Sequence, residues 1–218
     1  MRKLDIENIR TLKRHWIDTT LVLALSIPLI AGMVVDDWSI YTNALSRFGV
    51  LPITAGIWPI YLGIVSIGLW LNGSTMIEDK YDGIKSHVLS YMLNAACTGL
   101  MLTAIITEEL RIVHLIVATT FFVMYVVFIF LYGWWQIRST DFKEGTFSVV
   151  ISILLLLTTL LMIPFTGLAM FELTYISILL FWNWAVRRRA PIIIIANYIA
   201  SVRKNYKQKR KRNNKKKT

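Results

Sequence analysis

Residues 36–49 read "DDWSIYTNALSRFG" and lie between two long apolar runs, residues 17–35 and 50–71. The stretch is too polar to sit in lipid. It is also too patterned for an idle connection, with Ser39, Asn43, Ser46 and Gly49 three or four residues apart. The runs on either side decide the fold. Each approaches about twenty residues, the length that crosses a hydrocarbon layer at a rise of roughly 1.5 Å per residue.

The same alternation continues along the chain, which is 56% hydrophobic and 17% charged, with the charges in blocks between apolar runs. The chain therefore reads as all-α, a polytopic six-helix transmembrane bundle. Its spans are expected at Ile17 to Val35, Val50 to Leu71, His87 to Ile106, Ile112 to Trp134, Thr146 to Pro164 and Thr166 to Val186. The last two are separated only by "IPFTGLAMFE", in which Pro164 and Gly167 are the breakers. One unbroken helix there would overrun any bilayer. Short loops favour a single bundle over residues 17–186, held by small-residue packing and interhelical hydrogen bonds rather than by the hydrophobic effect.

Orientation follows from the basic residues. With six spans, all but Arg47 and Arg111 of the 24 Lys and Arg fall on one side. The positive-inside rule makes that side cytoplasmic, so both termini face the cytoplasm and residues 36–49 face outward. Residues 1–16 are expected to form a basic cytoplasmic arm rather than a cleaved leader, because the run after them is long enough to stay as a span. The one cysteine, Cys97, falls mid-span. It excludes intrachain disulfides and cysteine metal clusters and reads as a small buried hydrophobe.

After the sixth run, Arg187, Arg188 and Arg189 form a stop-transfer cluster, and the apolar remainder of 187–202 is too short to cross, which suits an interfacial segment. Residues 203–218 are a polybasic tail expected to be disordered. With Lys209, Arg210, Lys211 and Arg212, these groups would anchor the protein to anionic inner-leaflet lipids, at about 1 kcal/mol per basic residue. Contact with nucleic acid, most simply ribosomal RNA, is the weaker competitor: a flexible polycation neutralises phosphates without reading sequence. The final "KKKT" also matches a di-lysine retrieval signal, a match that any lysine-rich tail produces by chance. The multi-pass protein would sit in the cell membrane of a prokaryote, or in the endoplasmic reticulum or another endomembrane of a eukaryote.

Ionisable groups at membrane depth are costly and are functional suspects by default. Asp18, near the inner end of the first span, reads as an N-terminal helix acid. Glu172, Tyr175 and Asn183 fall near one face of the sixth helix, expected to point into the bundle. His114 opens the fourth span at the outer end, whereas His87 opens the third at the inner end, about 30 Å away across the hydrocarbon. The two share no metal, and no histidine pair lies at matched depth for haem. Ser90, Asn94 and Thr98 make a stripe suited to interhelical hydrogen bonds.

The outer face thus collects Asp36, Asp37, Asn43, Ser46, Arg47, Glu108, Glu109, Arg111, His114 and Glu172 around one mouth. As ligand-binding candidates we take Asp36, Asn43, Ser46, Arg47, His114, Glu172 and Tyr175. Ser46, His114 and Glu172 meet the roll-call for nucleophilic catalysis. A zinc site is not expected, because a single histidine stands on this side. No cofactor is expected.

The phrase "WSIYTNALSRFG", followed by "VLPITAGIWPIYLGIVSIGLW", resembles the outer loop and second helix of the six-span superfamily that includes DRAM, the GPI-anchor-remodelling proteins and a prokaryotic branch known as a domain of unknown function. That branch carries an aromatic-Ser, an Asn a few residues on, and then Ser-x-Leu-Gly. Ser39, Asn43, Ser46 and Gly49 fall in those places, with Phe48 for the leucine. "GLAMFELTYISILLFWNW" is similar to the family's sixth helix through Gly167, Glu172 and Trp182 or Trp184. Arg47 stands where the branch commonly has an acid, and Leu173 where an arginine often follows the glutamate. An exchanged Arg47–Glu172 pair would reconcile both. The resemblance implies a six-span fold and a role near lipid remodelling, lipid asymmetry or autophagy, without an agreed chemistry.

These readings converge on a protein that binds a lipid or small amphiphile at the outer mouth, beneath residues 36–49 acting as a lid held by Ser46, Asn43 and the Arg47–Glu172 pair. The competing readings are a membrane-embedded hydrolase or lipid-remodelling enzyme, and an accessory subunit of a larger membrane assembly with a protein partner. No inverted repeat or pair of broken helices marks a transporter.

Overall fold

The structure is a computed structural model, and it describes residues 20, 22–24, 26–36, 38–139, 141–162, 169–189, 192, 193 and 198. The basic arm with Asp18, the acid Asp37, the breakers Pro164 and Gly167, and the tail with Lys209, Arg210, Lys211 and Arg212 lie outside the described residues.

Among the described residues the chain is helical, with no strand. A short apolar helix α1 (Val22–Val34) precedes α2 (Trp58–Glu78), α3 (Gly83–Ile105), α4 (Arg111–Ser139), α5 (Phe142–Met162) and α6 (Ala169–Arg188). Short 3-10 turns, Leu45–Gly49 and Glu108–Leu110, sit in the connections before α2 and before α4. The last five helices are long and apolar enough to cross a membrane, and the protein is an integral multi-pass membrane protein. The described part of the first expected span is shorter than that length.

Several expected boundaries move: α2 runs on to Glu78 rather than Leu71, α3 starts at Gly83 rather than His87, α4 runs on to Ser139 rather than Trp134, and two helix starts shift for a clear local reason. Val50 to Ile57, assigned to the second span, form a run of turns, and the helix begins only at Trp58. The reason is local. Pro52 and Gly56 break the run, while Pro59 sits in the first helical turn, where its missing N–H is no loss. The Thr54 hydroxyl ties the turns down by donating to the Phe48 carbonyl at 2.6 Å. The other shift is at α5, which starts at Phe142 rather than Thr146. Asp141 caps it, its carboxylate accepting the Glu144 N–H at 3.1 Å, a side-chain cap of the first turn. As expected, α5 and α6 are separate helices that pack together.

Neighbouring helices pack in chain order from α2 to α6. Helices α4 and α5 approach closely, where a Cβ added to Gly133 would lie 2.8 Å from the Gly145 carbonyl oxygen, and one on Gly145 would lie 2.5 Å from the Ile137 nitrogen. Only glycine at both positions lets the backbones touch, the small-residue contact that stands in for hydrophobic driving force in lipid. Helix α1 is tied to α2 by the Tyr61 hydroxyl, which donates to the Ala24 carbonyl at 2.7 Å.

The centre is aromatic. Trp182, Tyr125, Tyr132, Tyr175 and Phe128 are fully buried. Trp182 meets Tyr132 at 5.6 Å and 90° and Phe128 at 6.0 Å and 88°, edge-to-face pairs worth about 0.5–1.5 kcal/mol each beyond their burial. Its indole N–H donates to the Ser148 hydroxyl at 2.9 Å. Helices α2 and α6 meet through Asn72, which donates to the Asn183 side-chain oxygen at 2.5 Å. Both asparagines are buried, and each offers the other a partner that lipid cannot. Asn94 of the expected polar stripe accepts from the Trp70 indole across α2 and α3 at 2.7 Å.

Candidate functional site

The end of the bundle that carries residues 36–49 is organised by the N-terminus of α6. A helix start leaves backbone N–H groups without partners, and here residues 36–49 supply them: Ala169 donates to the Asn43 carbonyl at 2.8 Å and Met170 to the Ile40 carbonyl at 3.2 Å. Glu172, in the first turn of α6, reaches back in return. Its Oε2 accepts the Leu45 N–H at 2.6 Å. The loop therefore caps the helix, and the helix holds the loop.

Inside the loop, the Asn43 side-chain oxygen accepts the Ser39 N–H at 2.9 Å and the Thr42 hydroxyl at 3.3 Å. The Trp38 indole donates to the Ala44 carbonyl at 3.1 Å. Trp38 stacks on Phe48 at 4.7 Å, and Phe48 leans on Trp58 at 5.2 Å. This stack is why Phe48 and Leu45 are buried although the segment lies outside the helices. The 3-10 turn Leu45–Gly49 in turn touches the turn Glu108–Leu110.

Beneath the loop lies a cavity of about 70 Å³. Ser46, His114 and Glu172 line it, with Thr103, Trp58, Tyr61, Phe121 and Phe122 among its other walls. The three residues named as catalytic candidates are therefore brought together. The Nδ1 of His114 lies 2.5 Å from the Ile106 carbonyl oxygen. A carbonyl only accepts, so this nitrogen carries the proton, and in the neutral ring Nε2 keeps the lone pair.

An apolar groove of about 240 Å³ adjoins the cavity. It runs between α1 and the turns before α2, lined by Ile27, Ile30, Ala31, Val34, Val35, Ile53, Thr54 and Ile57, and its last walls are Trp58 and Tyr61. Those two rings line the cavity as well.

Other expected site residues do different work. Asp36 and Arg47 are exposed and lie outside the cavity lining. Among the described residues no ion pair joins Arg47 to Glu172, so the expected pair is corrected: the loop is held by the Leu45 backbone N–H, a donor no charge pattern reveals. Ser46 likewise lines the cavity rather than fastening the loop, whereas Asn43 fastens it as expected. Tyr175 is buried, and its hydroxyl donates to the Phe122 carbonyl at 2.8 Å, a packing role between α4 and α6. Arg187 and Arg188 end α6, and Arg189 follows in the left-handed region at φ 57°.

A second polar centre, at the opposite end, went unread in the sequence. Glu144 is 1% exposed. It forms an ion pair with Lys80 from the α2–α3 connection, accepts the Tyr132 hydroxyl at 2.6 Å, and has the Arg189 Nε 3.9 Å from its other oxygen. Tyr81 donates to the Tyr132 carbonyl at 2.7 Å and packs edge-on against its ring. Burial pushes the Tyr81 phenol well above its ordinary pKa. The Asp-x-x-Glu spacing of residues 141–144 was the available signal for a helix start, but it marks Glu144 as a first-turn acid, not as the hub of four elements. Among the described residues no group of three or more His, Cys, Asp or Glu is placed to hold a metal ion.

Set against family models, curated proteins and solved structures, the chain finds no match.

Proposed function

We propose that this membrane protein binds an amphiphile at the outer mouth, with the apolar chain in the groove between α1 and α2 and the polar end in the cavity beneath residues 36–49. The observation that carries this reading is the shared wall: Trp58 and Tyr61 line both an almost wholly apolar groove and a cavity tipped by Ser46, His114 and Glu172. Ligand sites combine apolar walls with a few placed polar groups, and they usually enclose roughly 300–1,000 Å³. The cavity, about 70 Å³, takes only a headgroup terminus, and the groove supplies the remaining volume.

In this reading the bundle has six spans, both termini are cytoplasmic, and the mouth opens to the outer side, as the distribution of Lys and Arg supports. It is consistent with membership of the DRAM-like superfamily, whose resemblance centres on Ser39, Asn43, Ser46 and Gly49.

Native mass spectrometry of gently solubilised protein tests it. A retained lipid mass is expected, and Ala31→Trp, which fills the groove, should remove it while the protein stays monodisperse. A wild-type protein that emerges free of lipid under those conditions overturns the reading.

One observation favours a hydrolase as the second reading: Ser46, His114 and Glu172 line the same cavity. The hydrogen-bond chain of a nucleophile, a base and an orienting acid is not assembled, because His114 gives its Nδ1 proton to a backbone carbonyl and Glu172 spends one oxygen on Leu45. Covalent labelling of Ser46 by a fluorophosphonate would favour the enzyme; unlabelled serine favours binding.

A further inference from the structure

The walls of the outer cavity are rich in acceptors. In its neutral form, His114 presents Nε2 with a lone pair, because Nδ1–H is committed to the Ile106 carbonyl. Glu172 uses Oε2 for the Leu45 N–H and keeps Oε1. The Thr103 hydroxyl gives its proton to the Gly99 carbonyl at 2.8 Å and keeps its lone pairs. Close by, on the turn that touches the loop, Glu108 has a buried Oε2 with no hydrogen-bond partner among the described residues.

The cationic donors lie elsewhere. The guanidinium groups of Arg47 and Arg111 belong to exposed residues outside the lining. The Trp58 indole lies under the loop, where a Cβ on Gly49 would lie 3.3 Å from Cδ1 and 4.0 Å from Nε1. The Tyr61 proton goes to Ala24. Among the described side chains the Ser46 hydroxyl and the Trp58 indole N–H remain to donate, both of them neutral, and an anionic headgroup would meet the Glu172 carboxylate with no cation opposite it.

We infer that the cavity takes the primary ammonium end of an amphiphile, which donates its N–H groups to Glu172 Oε1 and His114 Nε2. Two things support a cation over a neutral polyol, and a third supports a primary ammonium over a quaternary amine. The Glu172 carboxylate is neutralised by a cation without desolvating an unpaired charge. The aromatic walls Trp58, Tyr61, Phe121 and Phe122 offer rings to a cation. The volume of about 70 Å³ admits a short amine arm, whereas a trimethylammonium group is bulkier and has no N–H to satisfy the acceptors. This inference rests on the amphiphile-binding reading above.

The test is lipid competition in nanodiscs holding equal amounts of phosphatidylethanolamine, phosphatidylcholine and phosphatidylglycerol, read by native mass spectrometry after release. Wild-type protein should retain the ethanolamine lipid at least tenfold over the other two. Glu172→Gln, whose side-chain oxygen still accepts the Leu45 N–H but bears no charge, should lose that preference while remaining monodisperse. His114→Gln should weaken it, and decides the matter if Glu172→Gln does not fold. Equal retention of all three lipids overturns the ammonium assignment and leaves amphiphile binding standing; retention of none overturns both. A preference unmoved by either substitution also overturns the assignment.

Discussion

The Glu172 carboxylate accepts the backbone N–H of Leu45 at 2.6 Å, joining residues 127 positions apart. The bond is the counterpart of the Ala169 and Met170 N–H groups, which donate to carbonyls of the same loop. Three bonds between one loop and one helix N-terminus make residues 40–45 an external cap for α6. They also set the roof of the cavity, since Ser46 follows directly.

Glu172→Ala should therefore destabilise the protein by about 1.5–3 kcal/mol, the worth of a hydrogen bond to a charged acceptor whose loss strands a backbone donor. Glu172→Gln should cost less, because its amide oxygen still accepts. Arg47→Ala should stay within about 0.5 kcal/mol, as an exposed side chain away from such features. Reversing both charges should not restore stability, and the single effects should add. Thermal unfolding in micelles checks all four; rescue by the double reversal would reinstate an Arg47–Glu172 pair.

The contrast between Glu172 and Leu45 shows where sequence reading stops. The apolar runs are written in the composition, because lipid forces backbone hydrogen bonds inside each segment, and so the helices and the inward face of Glu172, Tyr175 and Asn183 were legible. Ser46, His114 and Glu172 also proved to share a cavity. The partner of Glu172 was not legible, because a backbone N–H has no residue signature. The start of α2 was misplaced because Val50 to Ile57 are as apolar as a span while Pro52 and Gly56 turn the backbone. Trp58 and Tyr61 read as ordinary core aromatics until α1 was seen to leave a groove beside them.

At the other end, Lys80→Ala should cost about 3–5 kcal/mol, since it leaves the Glu144 carboxylate buried without its nearer ion-pair partner. The double substitution Lys80→Met with Glu144→Leu should recover much of that loss, because desolvation is relieved together with the pair. A double-mutant cycle on unfolding midpoints measures the coupling. A single Lys80→Ala that is silent would mean that Arg189 alone neutralises Glu144.

The α4–α5 crossing predicts a sharp difference among glycines. Gly133→Leu and Gly145→Leu should abolish the monodisperse peak in size-exclusion chromatography, because each side chain would be driven into facing backbone. Gly63→Ala should be tolerated, since a Cβ there has nothing within 4 Å, and it should gain from alanine's helix propensity, worth up to about 1 kcal/mol in water. Equal sensitivity at the three positions would contradict the packing.

Orientation is open to a direct chemical test, because the chain has one cysteine and it is buried. In a Cys97→Ser background, a cysteine at Tyr41, 70% exposed in the loop before α2, should react with a membrane-impermeant maleimide applied to intact cells. One at Ile84, 82% exposed at the start of α3, should react only after permeabilisation. The two sites lie at opposite ends of α2, so the positive-inside rule gives them opposite answers. The reverse pattern would turn the Glu172 mouth to the cytoplasm, and with it the leaflet from which an amphiphile enters. Labelling of both sites in intact cells would remove the spanning assignment of α2 itself, the helix that carries both Trp58 and Asn72.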